Sequence, residues 1–214
     1  MKEVQSLNND TNSPVCIAVD AMGGDFGPSE IVPGAIQAAK NQEMRIFLVG
    51  DPDLLKHEIE KHDVKDLQIK IVPSDSVIEE NEQPALALRN KPNSSILIAT
   101  GLVKQGMADA CVSMGSTGAA MASAVVMFGT IEGIERPALG GPIIGFAPNT
   151  AIIDMGSNVD CRPGQMLSFA VIGRVFAHRF WGIDNPRVAL LSVGAETGKG
   201  NRQIRETTKL FQNS

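Results

Sequence analysis

Apolar residues fall along this chain in short runs, most of them closed by Asp or Gly. Val15–Val19 ends at Asp20, and Arg45–Val49 ends at Gly50-Asp51. Leu67–Val72, Ala110–Ser113, Ala151–Asp154 and Arg187–Val193 repeat the pattern. Such runs show little in–out alternation, so they predict strands covered on both faces. Between them the apolar positions change to helical spacing. Ser29–Lys40 carries Ile31, Ala35 and Ala38 in helical phase, and Asp53–His62 follows a proline. Ser94–Lys104 opens on serines, Thr117–Phe128 is alanine-rich, Gly164–Phe180 is apolar on one side, and Gly200–Phe211 follows the last run. Strands alternating with helices of this length predict right-handed βαβ units. The expected class is α/β, with a mostly parallel sheet flanked by helices. Residues 1–13 read as a disordered tail and 14–214 as one α/β domain. An α/β domain rarely stops one helix after a strand, so the chain reads as a fragment or a short form.

Composition narrows the function. Of 214 residues, 43% are apolar and 20% charged, which is ordinary for a globular protein. Nineteen Lys and Arg against 24 Asp and Glu leave a net charge of −5, contrary to a nucleic-acid coat protein. Eight Phe, one Trp and no Tyr offer little for stacking on single strands. Three cysteines, two of them in strand-like runs, suggest reduced thiols and a cytoplasmic setting. Met1–Ser13 is polar and has no apolar signal-peptide core. Ala110–Ile131 carries no charge and is long enough for a membrane span. Its glycines, serines and threonines favour instead a buried helix after a glycine turn.

Four runs end in glycine with small polar residues. They are Asp20-Ala-Met-Gly-Gly-Asp-Phe-Gly-Pro28, Ser113-Met-Gly-Ser-Thr-Gly-Ala119, Asp154-Met-Gly-Ser-Asn-Val-Asp160 and Gly194-Ala-Glu-Thr-Gly-Lys-Gly-Asn201. Ligands of parallel sheets bind beyond the carboxyl ends of the strands. Glycine turns at that edge can aim backbone N–H groups at an anion, and helix N-termini reinforce them. Four turns at one edge therefore suggest a phosphate-bearing ligand; tight turns with no ligand are the alternative. Candidate contacts are Asp20, Gly23, Gly24, Gly115, Ser116, Thr117, Gly118, Asp154, Gly156, Asp160 and Asn201, with Lys199 as a mobile cation.

Other chemistries fit less well. Gly194 to Gly200 approaches a Walker A loop, but its spacing is one residue short and Gly200 stands at the magnesium-binding Ser/Thr position. Gly23, Gly24 and Gly27 do not make a dinucleotide fingerprint. His57 and His62 lie in a charged segment, and His178 lies in a predicted helix. There is no G-x-S-x-G elbow. Cys161 could be a nucleophile but has no evident partner histidine. No spacing suggests zinc, and no cofactor or metal is expected. The carboxylates beside the turns could equally cap turns and helices.

Six blocks in order resemble the PlsX-type phosphate acyltransferases, from about Val15 to Asn201. They are Asp20–Pro28, Ala87–Ser95, Ser113–Ala119, Ile134–Leu139, Asp154–Asp160 and Gly198–Asn201. The sequence departs from the family at Ser116, usually Asn, and Ser157, usually Ala. The resemblance implies a fold like that of isopropylmalate dehydrogenases and phosphotransacetylases, with these residues as the N-terminal portion of a longer domain. It implies transfer of a fatty acyl group from acyl carrier protein to inorganic phosphate, giving acyl phosphate for phospholipid synthesis. It also implies a homodimer and peripheral association at the inner face of the cell membrane. Phosphate is itself a nucleophile, so the protein need only hold it and stabilise an oxyanion. Lys199 then becomes the main electrostatic residue, with Asn158 and Ser116 as donors. Arg187, Lys199, Arg202 and Arg205 become a candidate landing surface for the acidic carrier. The alternatives are a nucleotide-linked oxidoreductase on a similar sheet and an inactive carrier-binding module.

Overall fold

The computed structural model describes residues 14–194 and 199–213. The chain divides into two compact units, Met1–Phe128 and Gly129–Ser214. The proposed tail at 1–13 lies outside the described residues.

In chain order the first unit contains β1 (Val15–Asp20), α1 (Pro28–Asn41), β2 (Met44–Gly50), α2 (Pro52–Ile59) and β3 (Gln68–Pro73). It continues with α3 (Pro84–Asn90), α4 (Ser95–Lys104), β4 (Ala110–Ser113) and α5 (Thr117–Phe128). The four strands form a parallel sheet in the order β3-β2-β1-β4. The central strands are buried on both faces, as their unbroken apolar runs predict. Ile17, Val19, Ile46 and Leu48 face α1 and α2, while Cys16, Ala18, Phe47 and Val49 face α4. In α1, Val32, Ala35, Ile36 and Ala39 make the buried stripe. Pro52 opens α2, and Asp51 caps it by accepting from the N–H groups of Asp53 (2.9 Å) and Leu54 (3.0 Å). Opposite, α4 buries Ile96, Leu97, Ala99 and Leu102.

The uncharged segment 110–131 is a strand, a turn and α5. Its helix is not buried all round: only Ala119 and Ser123 are fully covered, and Val126 is 65% exposed. One side of α5 packs on α3 and α4, where Ser123 Oγ lies 3.0 Å from Thr100 Oγ. No helix among the described residues is long and apolar enough to cross a membrane.

The second unit contains β5 (Gly140–Gly141), β6 (Ile152–Ile153), α6 (Pro163–Trp181) and α7 (Arg202–Gln212). Here two strand expectations are corrected. Ala151–Asp154 contributes only Ile152 and Ile153, paired antiparallel with Gly140–Gly141. Arg187–Val193 forms no strand, and Leu191 and Val193 are exposed. An apolar run permits a strand, but pairing needs a neighbouring backbone, which a local pattern does not specify. The helices α3 and β-strand β5 carry no strong local signal and went unpredicted. In the second unit α6 packs on β6 and α7, with Thr207 fully buried between the two helices.

Leu48→Ala should lower unfolding stability by about 2–5 kcal/mol, since Leu48 is wholly buried in the sheet core. Val126→Ala, on the open side of α5, should change it by less than about 0.5 kcal/mol. Urea unfolding curves of both variants check the contrast.

Candidate active site

In the first unit two glycine turns meet at the carboxyl edge of the parallel sheet. Asp20 and Ser113 end adjacent strands and stand opposite each other in register. Asp20 is 2% exposed, and a carboxylate so placed needs donors. Ser113 Oγ donates to its Oδ2 at 2.7 Å, and the Met22 N–H donates to its Oδ1 at 3.3 Å. The Gly115 N–H donates to Ser113 Oγ at 3.1 Å. The following backbones touch. A Cβ on Gly23 would lie 2.7 Å from the Gly115 nitrogen, so only glycine fits there.

Ser116 is buried at the start of α5. Its Oγ accepts from the Ala119 N–H at 3.4 Å, and its carbonyl accepts from the Ala120 N–H at 3.0 Å. This leaves the N–H groups of Thr117 and Gly118 without a partner among the described residues. Thr117 is exposed and Gly118 abuts Pro84. Gly24 is exposed, with a positive φ of 82°. The structure thus brings together Asp20, Gly23, Gly24, Gly115, Ser116, Thr117 and Gly118.

The second unit builds a loop around another aspartate. Asp154 adopts φ 70°, a left-handed conformation uncommon outside glycine. Its backbone N–H and that of Met155 both donate to the Leu139 carbonyl, at 2.8 and 3.0 Å. Ser157 Oγ donates to Asp154 Oδ1 and accepts from the Leu139 N–H at 3.0 Å. Asn158 Nδ2 donates to Asp154 Oδ1 at 3.1 Å and to the Pro137 carbonyl at 3.0 Å. Both amide hydrogens of Asn158 are therefore engaged within the loop. Cys161 Sγ lies 3.6 Å from Asp154 Oδ2. Burial pushes its thiol pKa up, and the Asp154 charge pushes it further. A thiol held protonated in this way is a poor nucleophile.

Gly156 and Asp160 sit exposed on the rim of the same loop. Gln203 Nε2 donates to the Cys161 carbonyl and brings the first turn of α7 beside it. Asn201 caps α7, its Oδ1 accepting from the Ile204 N–H at 2.9 Å. Lys199 is exposed and makes no ion pair among the described residues. A shallow groove of about 410 Å³ runs between the starts of α6 and α7, lined by Cys161, Arg162, Pro163, Asn201, Arg202, Gln203 and Glu206. Both arginines are already paired, Arg162 with Glu135 at 2.5 Å and Arg202 with Glu206 at 2.6 Å.

The expectation of four glycine turns on one sheet edge is thus corrected. Two follow strands of the parallel sheet. The third follows the antiparallel β6, and the fourth follows 187–193, which is not a strand. Within the fourth turn, residues 195–198 lie outside the described residues. The same correction removes the strand end on which Arg187, Lys199, Arg202 and Arg205 were placed. His57 and His178 are exposed, and His62 is half-buried. Among the described residues no group of three or more His, Cys, Asp or Glu could hold a metal ion. Sequence reasoning missed Ser113 and Ser157 as organising residues. Ser113 had a usable signal, since it closes a strand next to the one that Asp20 closes.

A family model described as "Fatty acid synthesis protein" matches residues 15–214. The chain is 46% identical over 202 residues to a phosphate acyltransferase of Syntrophomonas wolfei, covering 92% of this chain and 62% of that protein. It is 44% identical over 201 residues to the phosphate acyltransferase of Trichodesmium erythraeum (93% and 59%). It is 47% identical over 196 residues to that of Pelotomaculum thermopropionicum (92% and 57%). The chain thus spans about three fifths of the length of these relatives. A phosphotransacetylase from Streptococcus pyogenes superposes with a TM-score of 0.64 at 16% identity, covering 94% of this chain and 65% of its own. At that identity the likeness establishes the fold.

Asp154→Asn should lower the Cys161 pKa, because it removes the negative charge beside the thiol. Alkylation of Cys161 by iodoacetamide at pH 8, followed by peptide mass spectrometry, should speed up several-fold. An unchanged rate would show that burial alone sets the reactivity.

Proposed function

The chain belongs to the Fatty acid synthesis protein family, and on that premise we propose that it carries the phosphate-binding half of an acyl-carrier-protein:phosphate acyltransferase. The observation that carries the reading is the paired glycine turn after β1 and β4. There two backbones are in contact beside an N-terminus of α5 that has free N–H groups. Such an arrangement suits a small oxyanion. The proposed cradle is Gly115, Ser116, Thr117 and Gly118, framed by Asp20, Gly23 and Gly24. In the second unit, Asp154, Gly156 and Asp160 of the 154–160 loop, Asn201 and Lys199 are further proposed substrate contacts.

In the reaction, an oxygen of hydrogen phosphate attacks the thioester carbonyl carbon. The tetrahedral oxyanion collapses, the C–S bond breaks, and the phosphate proton ends on the carrier's sulfur. The products are acyl phosphate and the free thiol of the carrier. Nothing in this sequence needs a protein nucleophile, which agrees with a protonated Cys161. Lys199 is the proposed cation for the developing negative charge, where preorganised donors are worth a few kcal/mol. Asn158 serves the loop instead, since its amide is spent on Asp154 and Pro137. Fatty acyl carrier protein and inorganic phosphate are the proposed partners, with Arg187, Arg205 and Lys199 as cationic contacts for the carrier. A homodimer in the cytoplasm, attached peripherally at the inner face of the membrane, belongs to the same proposal. None of the relatives named above is an oxidoreductase.

The test is to incubate the protein with acyl carrier thioester and phosphate, and to trap acyl phosphate with hydroxylamine. Phosphate-dependent hydroxamate is the expected result; carrier binding without any hydroxamate would overturn the enzyme reading. In an active preparation Lys199→Ala should cut turnover about a hundredfold or more. A near-normal rate would remove Lys199 from the mechanism.

A further inference from the structure

The buried charge of Asp20 raises a question about the proposed cradle. A phosphate dianion and a carboxylate in contact repel, and burial strengthens that repulsion. Yet Asp20 stands directly beneath the two glycine turns, with Oδ2 3.0 Å from where a Gly23 Cβ would be. Its hydrogen bonds point to a structural role. Each carboxylate oxygen takes a donor from inside the first unit, Ser113 Oγ on Oδ2 and the Met22 N–H on Oδ1.

Ser113 is the joint of this arrangement. A serine hydroxyl has one proton to give and lone pairs to accept with. Its proton goes to Asp20 at 2.7 Å, which turns a lone pair toward the Gly115 N–H at 3.1 Å. Gly115 is thereby held against Gly23, and the next residue, Ser116, immediately precedes α5. The chain from Asp20 through Ser113 to Gly115 therefore sets the direction in which the Thr117 and Gly118 N–H groups point.

We infer that Ser113 is a positioning residue for the anion cradle, and that Asp20 acts through it without touching phosphate. This rests on the phosphate reading proposed above. Losing the hydroxyl loosens the turn and costs anion affinity, while the sheet beneath keeps its packing. The effect is confined to phosphate: the acyl-carrier side of the reaction does not depend on this joint.

The experiment titrates inorganic phosphate into the full chain by calorimetry, for the wild type, Ser113→Ala and Ser113→Thr. Thermal melts confirm folding, and an NMR spectrum follows the Gly115 amide. Ser113→Ala should weaken phosphate binding about tenfold, the worth of one ordering hydrogen bond. Its Gly115 amide proton should move upfield. Ser113→Thr, which keeps the hydroxyl, should restore both. In an active preparation KM for phosphate should rise with KM for the acyl carrier unchanged. Unaltered phosphate affinity in a folded Ser113→Ala variant overturns the positioning role and leaves the acyltransferase reading standing. If Ser113→Ala does not fold, a Ser113→Thr variant that folds but binds phosphate tenfold more weakly also overturns it. A folded wild type that binds no phosphate overturns both.

Discussion

A carboxylate buried at the end of the first strand is the constraint on which the first unit's site depends. Asp20 has lost its water and must be satisfied by the chain around it. The nearest donors are the hydroxyl that ends the adjacent strand and the backbone two residues on. Meeting that need draws the turns after β1 and β4 together until their glycines touch. A side chain on either glycine would force them apart. The contact between the two turns thus sits directly on the hydrogen bonds of one buried carboxylate.

The second unit uses the same device on a different scaffold. Asp154 also closes a strand and also spends both carboxylate oxygens within the protein, on Ser157, Asn158 and Cys161. Here the strand is only two residues long, so the loop rather than a sheet gives the site its rigidity. Backbone bonds from Asp154 and Met155 to Leu139 tie the loop to the 134–139 block. The raised thiol pKa of Cys161 is a consequence of this closure. In both units an aspartate closing a strand organises the backbone of the turn that follows it.

That division of labour suits a reaction whose nucleophile arrives with the substrate. A protein that needs only to hold an oxyanion can dispense with a strained nucleophile and its base. The chain's shortage of aromatic residues and of plausible histidine partners is consistent with this economy.

The unbroken runs at Val15–Val19 and Arg45–Val49 and the helical spacing in Ser29–Lys40 made the parallel sheet and its helices legible from sequence. Of Ile31, Ala35 and Ala38, however, only Ala35 is buried, and the stripe runs through Val32, Ile36 and Ala39 instead. Strand and helix periods are local properties, and each run fixes which residues its two faces bury. The glycine turns were legible for the same reason, because few other residues tolerate those backbones. The fate of Arg187–Val193 was not legible: a strand exists only when another backbone pairs with it. Nor could spacing show that Ser113 lies opposite Asp20, since register is set by packing between strands 93 residues apart. Asn158 looked like a free donor until folding placed Pro137 and Asp154 around its amide. Local pattern specified the four parallel strands, the helices α1, α2, α4, α5, α6 and α7, and the glycine and aspartate residues that close the strands. The tertiary structure decided which polar groups are consumed inside the protein and which stay available, because that depends on neighbours remote in the chain.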